Sequence, residues 1–233
     1  MEALTNFFLD KNCKHVLDVG TGPGKFITVL KEVFPSAQIT GVDPMQESLE
    51  EAKKNYPEVA FVQGVAERLP FATGTFDVVS ISMALHHLSK ISKGLRETKR
   101  VVKKDGWIIV NEIISDNLNP AQEVQKIYHH FRSKIDRILG VSHHETFQKE
   151  QVIQMVENAG VSIQFFFEHN DEPEKLNENE LEKRVEIMQK KLEKIKDKPE
   201  YDEMKDQIKE FMKQVSIHGF QPATKVVIVG RKL

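Results

Sequence analysis

The sequence VLDVGTGPGKF, residues 16–26, places three glycines within five residues directly after an apolar run. The glycines are Gly20, Gly22 and Gly24, and an acid, Asp18, stands two residues before the first of them. A glycine-rich turn between a strand and a helix lets backbone N–H groups approach a nucleotide-type ligand closely. We therefore expect a ligand of that kind to lie against this turn.

The spacing of these glycines discriminates among the ligands that such turns hold. A phosphate-binding P-loop is excluded, because Phe26 stands where its Mg²⁺-binding hydroxyl belongs and Val19 where its first glycine belongs. A dinucleotide fingerprint fits poorly, since Lys25 occupies the place of its third glycine. The tight spacing instead favours a ligand without a pyrophosphate, whose amino-acid tail lies directly against the turn.

A second acid, Asp43, ends the next predicted strand. It follows the glycine turn by about 20 residues, where a carboxylate can accept hydrogen bonds from both hydroxyls of a ribose. Pro44 and Met45 come next and are placed to flank a base with apolar surface. The alternative for these two is that they are ordinary turn and helix-start residues.

Histidines and one glutamate are the candidates for proton transfer or substrate contact. Imidazole titrates near neutral pH and suits general acid or base catalysis. The candidates follow predicted strands or precede a late helix, and they are His86, His87, Glu112, His143 and His144. For each of them the alternative is a structural hydrogen bond. We interpret His129 and His130 as part of a helix face, and we expect no metal, because adjacent histidines point apart on a helix and no cysteine or acid stands at ligand spacing.

Short apolar, β-branched runs alternate with amphipathic stretches along the chain, as parallel βαβ units require. The pattern predicts an α/β fold: a Rossmann-like, seven-stranded sheet, mostly parallel with the last strand antiparallel, with helices on both faces. Strands are predicted at 15–19, 38–43, 59–64, 76–82, 106–113, 162–168 and 225–231. Helices are predicted at 24–33, 46–55, 92–102, 120–139 and 148–159.

The composition changes at about residue 170, where Glu, Lys and Asp become dominant. Apolar residues still recur there at steps of three and four on both sides of the sequence KDKPE, which predicts two amphipathic helices joined by a turn. We interpret residues 170–217 as a helical-hairpin insertion between strands six and seven. The charged faces are either solvated surface or a lid or docking arm. We expect residues 1–233 to form one domain.

The composition of the whole chain limits which classes of function and cellular location fit the protein. The chain has 33 Lys and Arg against 35 Asp and Glu and a formal net charge of −2, so it lacks the basic excess typical of nucleic-acid binding. Its single cysteine, Cys13, excludes an internal disulfide and suits a reducing compartment. We do not expect the first residues to form a signal peptide, and no apolar run is long enough to cross a bilayer. We expect a soluble, cytoplasmic protein.

Several ordered motifs together resemble the class I S-adenosyl-L-methionine (SAM)-dependent methyltransferases, and most of all the ubiquinone/menaquinone-biosynthesis type. VLDVGTGPG is similar to the first motif of that family, and GVDP to the acid of its second strand. The blocks GVAERLPFATGTFDVVSISMALHHL, ETKRVVKKDGWIIV and SHHETFQKEQVIQMVENAG resemble its later motifs in the same order. The likeness spans about residues 16–164 and resumes at FQPATKVVIVGRK.

The resemblance implies SAM as cofactor and assigns positions to it. The glycine turn would contact the methionine part, Asp43 the ribose, and the backbone N–H of Ala66 the adenine, with Glu67 nearby. Val65 departs from the family, which commonly has an aspartate there. The full set implied to bind the cofactor is Asp18, Gly20, Thr21, Gly22, Gly24, Asp43, Pro44, Met45, Ala66 and Glu67.

The reaction implied is methyl transfer to an O, N, S or C nucleophile of a small molecule. One alternative is an RNA or protein methyltransferase, although SMALHH stands where amino methylation of nucleic acids uses an Asn-Pro-Pro-Tyr/Phe motif. Another is a non-catalytic SAM-binding module that docks a partner through the 170–217 hairpin. Since almost no chain precedes the first strand, we expect the 120–139 helix and that hairpin, or the second subunit of a homodimer, to close the pocket.

Overall fold

The computed structural model describes residues 1–170 and 178–233. Within these ranges helices and strands follow one another in the order expected of an α/β protein. The elements are α1 (Glu2–Phe8), β1 (His15–Val19), α2 (Ile27–Val33), β2 (Gln38–Asp43), α3 (Gln46–Asn55), β3 (Ala60–Gln63), β4 (Phe76–Ser82), α4 (Ile91–Val101), β5 (Val102–Ile113), α5 (Pro120–Ile138), α6 (Lys149–Asn158), β6 (Ser162–His169), α7 (Glu178–Glu193), α8 (Tyr201–His218) and β7 (Lys225–Arg231).

The strands form one seven-stranded sheet in the order β3-β2-β1-β4-β5-β7-β6, with the last strand antiparallel. The strand order reverses between β1 and β4, which pair in parallel with Asp18 opposite Ser80. In open α/β sheets, ligands bind beyond the carboxyl ends of the strands at such a reversal. The predicted Rossmann-like fold is confirmed, and its sheet places the glycine turn at this point.

Two compact units can be distinguished from the contacts within the chain. The first, here called the sheet unit, comprises Met1–Glu112, Glu150–His169 and Val226–Leu233. Its core contains buried strand residues such as Val16, Val78 and Ile109, together with apolar residues of α1 and α2. Burial of these side chains is the main source of its stability.

The second unit, here called the helical unit, comprises Ile113–Lys149 and Asn170–Lys225. Its core joins α5, α7 and α8 through buried residues that include Phe131, Met188 and Phe211. Asn119 caps α5 through a capping box, since its side chain accepts from the backbone N–H of Gln122 and the Gln122 side chain accepts from the backbone N–H of Asn119.

Two helices, α7 and α8, lie between β6 and β7 in chain order, and they share their core with α5. The first part of the predicted 170–217 insertion, residues 171–177, lies outside the described residues. That the whole chain is one domain with this insertion stays a prediction.

Most predicted elements agree with the structure to within one or two residues, and the larger differences have local causes. Helix α2 begins at Ile27 and not at residue 24, because the preceding residues form the glycine turn. Strand β5 begins four residues earlier than predicted. Helix α1 was not predicted; it buries Leu4 and Phe8 in the sheet unit. In the described ranges, no helix is long and apolar enough to span a membrane.

Candidate functional site

The glycine turn follows β1 and is held by the neighbouring strand. The N–H groups of Gly20 and Thr21 both donate to the carbonyl of Val42, at 2.8 and 3.1 Å. The three glycines of the turn have positive φ values of 71°, 52° and 89°, which L residues with a side chain rarely adopt. The sequence therefore builds a tight turn after β1 whose backbone conformation suits glycine at these three positions.

The three glycines serve different purposes. A Cβ at Gly20 would lie 2.5 Å from Cβ of Ala84, and a Cβ at Gly24 would lie 2.8 Å from the ring of Tyr56. These two glycines are required for close packing inside the protein. A Cβ at Gly22 would meet no atom of the described structure within 4 Å. Gly22 is therefore the position where a ligand can reach the bare backbone.

Asp43 connects the turn to the end of β2. One of its carboxylate oxygens accepts from the N–H of Gly22 at 2.9 Å, and the other accepts from the N–H of Met45 at 2.9 Å. The residue is 8% exposed. Its carboxylate thus orders the glycine turn, and it is available at the place where the sequence predicts a ribose.

A group of buried polar atoms lies at the ends of β1, β4 and β5. Asp18 is 1% exposed and accepts from the Ser80 hydroxyl at 2.7 Å. By geometry, its second oxygen, the Thr21 hydroxyl and the side-chain amide oxygen of Asn111 have no hydrogen-bond partner within the described residues. Burial raises the pKa of Asp18 to about 6, although the nearby Ser80 and Thr21 hydroxyls oppose this rise. Buried polar atoms without partners are uncommon in proteins, so this group has capacity for a polar ligand.

Apolar side chains are exposed beyond β2 and β3, which pair in parallel with Asp43 opposite Gln63. Met45 is 57% exposed and Val65 is 45% exposed. Their two segments are connected, because the Gln63 amide donates to the Pro44 carbonyl at 3.0 Å and the Gly64 N–H donates to the Asp43 carbonyl at 3.1 Å. These side chains offer an apolar surface next to Asp43.

The neighbouring Ala66 is buried. The side chain of the next residue, Glu67, is held by the segment before α4. One carboxylate oxygen of Glu67 accepts from the N–H and hydroxyl of Ser89 and from the N–H of Lys90, at 2.8 to 3.2 Å, which fixes the start of α4. Burial raises the pKa of Glu67, but these hydrogen bonds outweigh it and hold the pKa below its ordinary value. The part of Glu67 and Ala66 in cofactor binding stays a prediction.

His86 and Glu112 form a buried pair in the sheet unit. The Nδ1 atom of His86 lies 2.8 Å from a carboxylate oxygen of Glu112, and the His86 N–H donates to the other oxygen at 3.4 Å. Glu112 is 0% and His86 is 4% exposed. His87 is exposed and its ring lies 4.3 Å from that of His86. The structure thus brings together two candidates that the sequence assigned to different strands, and it places Glu112 within β5 and not after it as expected.

The other two candidates, His143 and His144, lie in the helical unit. Nδ1 of His143 is 2.7 Å from a carboxylate oxygen of Asp136 on α5, and the His144 carbonyl oxygen lies 3.2 Å from Nε2 of His129. His130 lies 2.9 Å from the Thr146 hydroxyl. His129 and His130 therefore connect α5 to the segment before α6. They were expected to form only a helix face, so this structural role is additional.

Sequence reasoning missed several polar residues of both units. Ser80 and Asn111 interrupt the apolar runs FDVVSIS and GWIIVNEI, and that interruption was a signal for them. Asp136 and Lys191, which form an ion pair between α5 and α7, gave no such signal, because they stand among many other charged residues.

Comparison with known proteins identifies a family model and relatives that each match part of the chain. Residues 17–110 match a family model described as "Methyltransferase domain". The chain is 32% identical over 142 residues to a demethylmenaquinone methyltransferase of Chlorobaculum parvum, which covers 61% of this chain and 58% of that protein. It is 30% identical over 116 residues to a ubiquinone/menaquinone biosynthesis C-methyltransferase of Campylobacter jejuni, which covers 48% of this chain and 49% of that protein.

The chain thus spans about half of the length of these curated relatives. Among solved structures, it is similar to one from Bacillus halodurans C-125 with a TM-score of 0.65 and 22% identity, covering 99% of this chain and 97% of that one. At this identity the structural likeness establishes the fold.

Proposed function

Because residues 17–110 form a class I SAM-dependent methyltransferase domain, we propose that this chain transfers the methyl group of SAM to a small-molecule acceptor. The curated relatives act in quinone biosynthesis according to their names, so an acceptor of the quinone type is the first to test. The formal charge of −2 supports a small molecule over nucleic acid.

The observation that carries this proposal is the group of polar atoms around the bare backbone of Gly22. An acid with an unpartnered buried oxygen, Asp18, suits an ammonium group, and Asp43 suits a pair of ribose hydroxyls. A SAM molecule carries both groups, and it has no pyrophosphate. The donor set of this site therefore fits SAM.

We assign the predicted cofactor residues accordingly. Asp18 and the glycine turn would hold the amino-acid part, Asp43 the ribose, and Met45 with the Ala66 backbone the base. Thr21, with its unpartnered buried hydroxyl, would add a hydrogen bond to the same ligand. Pro44 would shape the apolar surface and Glu67 would fix the segment that follows Ala66 through its bonds to α4.

For the chemistry, we propose that His86 and Glu112 act together and that His87, the exposed neighbour of His86, contacts the substrate. His143 and His144 remain predicted substrate contacts of the helical unit. Bound SAM supplies a methyl group already activated by a positively charged sulfur, so the protein has to align the acceptor and exclude water.

Two measurements on the full chain test this proposal. Calorimetric titration with S-adenosylhomocysteine is expected to give one binding site, and incubation with radioactive SAM and a demethylated menaquinol is expected to give a labelled product. Binding without transfer to any member of a metabolite panel would favour a SAM-binding module. Transfer to RNA or protein, with none to small molecules, would contradict the assigned acceptor class. Absence of binding heat would overturn the whole proposal.

A further inference from the structure

A cavity with an excess of positive charge lies at the end of the sheet where β1 and β5 begin. Its volume is about 330 Å³, and its charged lining consists of four cations and two acids: Lys11, Lys103, Lys104, Arg231, Asp77 and Asp105. We call it the basic cavity, and all of these residues belong to the sheet unit. The whole chain has a formal net charge of −2, so the positive excess is local to this place.

Asp77, one of the two acids, is used within the protein. One of its carboxylate oxygens accepts from the N–H groups of Lys14 and His15, at 3.0 and 2.8 Å, and the other accepts from the Lys103 ammonium at 2.7 Å. Burial raises the pKa of Asp77, but these hydrogen bonds outweigh it and hold the pKa below its ordinary value. The Asp77 carboxylate is therefore already bound inside the protein, where it balances the charge of Lys103.

The Arg231 and Lys11 cations keep N–H groups for a ligand. The Arg231 guanidinium donates through Nε to the Asp105 carbonyl at 3.2 Å, and it lies 3.7 Å from the Asp105 carboxylate, which is beyond hydrogen-bond distance. The Lys11 ammonium donates to the Phe7 carbonyl. A guanidinium has five N–H groups and an ammonium has three, so these contacts use only some of them. Both cations lie over the ring of Trp107, 5.3 and 5.5 Å from its centre, which holds them in place.

Lys104 adds a further positive charge to the cavity. It is exposed, and its ammonium forms no ion pair within residues 1–170 and 178–233. A terminal phosphate group carries about two negative charges and has three acceptor oxygens, so it can accept from lysine and arginine side chains at the same time. We propose that the basic cavity binds such a phosphate group through Lys104, Arg231 and Lys11. The group belongs either to a soluble compound or to a lipid head group.

The basic cavity is separate from the proposed cofactor site. Strand β1 begins at His15, beside the cavity, and ends at Val19, where the glycine turn follows. The five residues of this strand span about 16 Å. A phosphate group in the cavity therefore does not reach Gly22 or Asp43, and its binding does not depend on the proposed methyl transfer.

Trp107 is the only tryptophan of the chain, so its fluorescence reports on the basic cavity directly. Titration of the full chain with inorganic pyrophosphate at constant ionic strength is expected to change the Trp107 emission in a saturable way, with a Kd on the order of 1 mM or tighter. Lys104→Gln is expected to weaken this affinity at least about fivefold, because a charge-assisted hydrogen bond is lost. Lys104 is exposed, so the variant is expected to fold, and circular dichroism checks that it does.

Lys25→Gln is the matched control for this titration. It removes the same charge from another exposed lysine of the sheet unit, directly after Gly24 of the glycine turn. We expect it to bind pyrophosphate within about twofold of the wild type, since salt screens charges at that separation. An equal loss in both variants would show a general effect of net charge, and a larger loss in Lys25→Gln would place the anion at the glycine turn. Either result overturns the inference, as does an emission change that sodium chloride reproduces.

Phosphatidylcholine vesicles with and without phosphatidic acid distinguish the two sources of the phosphate group. Co-sedimentation of the wild type with the phosphatidic acid vesicles, reduced in Lys104→Gln, supports a lipid head group. A saturable pyrophosphate response without such co-sedimentation supports a soluble compound. If the full chain shows neither the pyrophosphate response nor co-sedimentation that depends on Lys104, the inference is wrong. Failure to bind S-adenosylhomocysteine would remove the proposed function and leave this inference intact.

Discussion

The sheet unit and the helical unit each contain a buried histidine next to a carboxylate, with nearly the same geometry. His86 lies 2.8 Å from Glu112 in the sheet unit, and His143 lies 2.7 Å from Asp136 in the helical unit. Both rings contact the acid through Nδ1, and both histidines are less than 5% exposed. The distance between the ring and the carboxylate therefore does not distinguish a catalytic pair from a structural one.

The surroundings of the carboxylates differ. Asp136 also forms an ion pair with Lys191 of α7. Burial raises the pKa of Asp136, but the hydrogen bonds from Lys191 and His143 outweigh it and hold the pKa below its ordinary value. In the sheet unit, Asp18 has a raised pKa and an oxygen without a partner in the described structure. The helical unit thus uses Asp136 to join its helices, whereas Asp18 of the sheet unit belongs to the ligand site that we propose.

Removing a sheet-unit acid should therefore affect binding, and Asp43→Ala tests this most strongly. We expect affinity for S-adenosylhomocysteine to fall about 100-fold, because the variant loses the hydrogen bonds to the ribose and the anchor of the glycine turn. Titration calorimetry measures the change. Glu47→Ala, an exposed acid in the first turn of α3, is the control and should bind as the wild type does. Binding within threefold of wild type in Asp43→Ala would contradict the ribose assignment.

Removing the helical-unit acid should affect stability. Asp136→Ala leaves the Lys191 ammonium and the His143 ring without their shared carboxylate, and the Lys191 side chain is only 21% exposed. We expect the free energy of unfolding to fall by about 2 kcal/mol, less than for a fully buried pair because water screens part of the charge. Urea unfolding followed by circular dichroism measures it. If Asp136→Ala lost cofactor affinity while its stability stayed unchanged, the stabilising role assigned to Asp136 would be wrong.

The raised pKa of Asp18 predicts a smaller, pH-dependent effect. Since its pKa rises from 3.8 to about 6 on folding, the folded state holds the proton more tightly, and the stability that this proton contributes is lost as the pH rises from about 4 to above 6. We expect the ligand-free protein to lose about 1 kcal/mol between pH 5 and pH 7 relative to Asp18→Asn, which cannot titrate. Urea unfolding at both pH values measures the difference. Parallel curves for the two proteins would show that Asp18 does not titrate in this range.

The sequence was sufficient to predict the parts of the fold that depend on local patterns. Alternating apolar runs predicted the seven strands, and glycine spacing predicted the turn after β1. The start of α2 was wrong by three residues, because the glycine turn takes up residues that a helical pattern would also allow. Helix α1 was missed, since seven residues carry too little periodicity to be detected.

The candidate site was predictable where it follows a motif and not where it depends on pairing in space. Asp18 and Asp43 stand at fixed distances from glycines, so the sequence located them. Ser80 interrupts an apolar run in the sequence, but only the strand register shows that it lies opposite Asp18. The pairing of Asp136 with Lys191 joins residues 55 positions apart, and many acids and lysines nearby could have formed it equally well in the sequence.

The crystal structure of the full chain with S-adenosylhomocysteine tests the central claim most directly. We predict both ribose hydroxyls within about 3 Å of the Asp43 carboxylate, and the amino-acid end of the ligand against Gly22 with its ammonium near Asp18. A ligand bound elsewhere, or a site that accepts a dinucleotide in its place, would contradict the account.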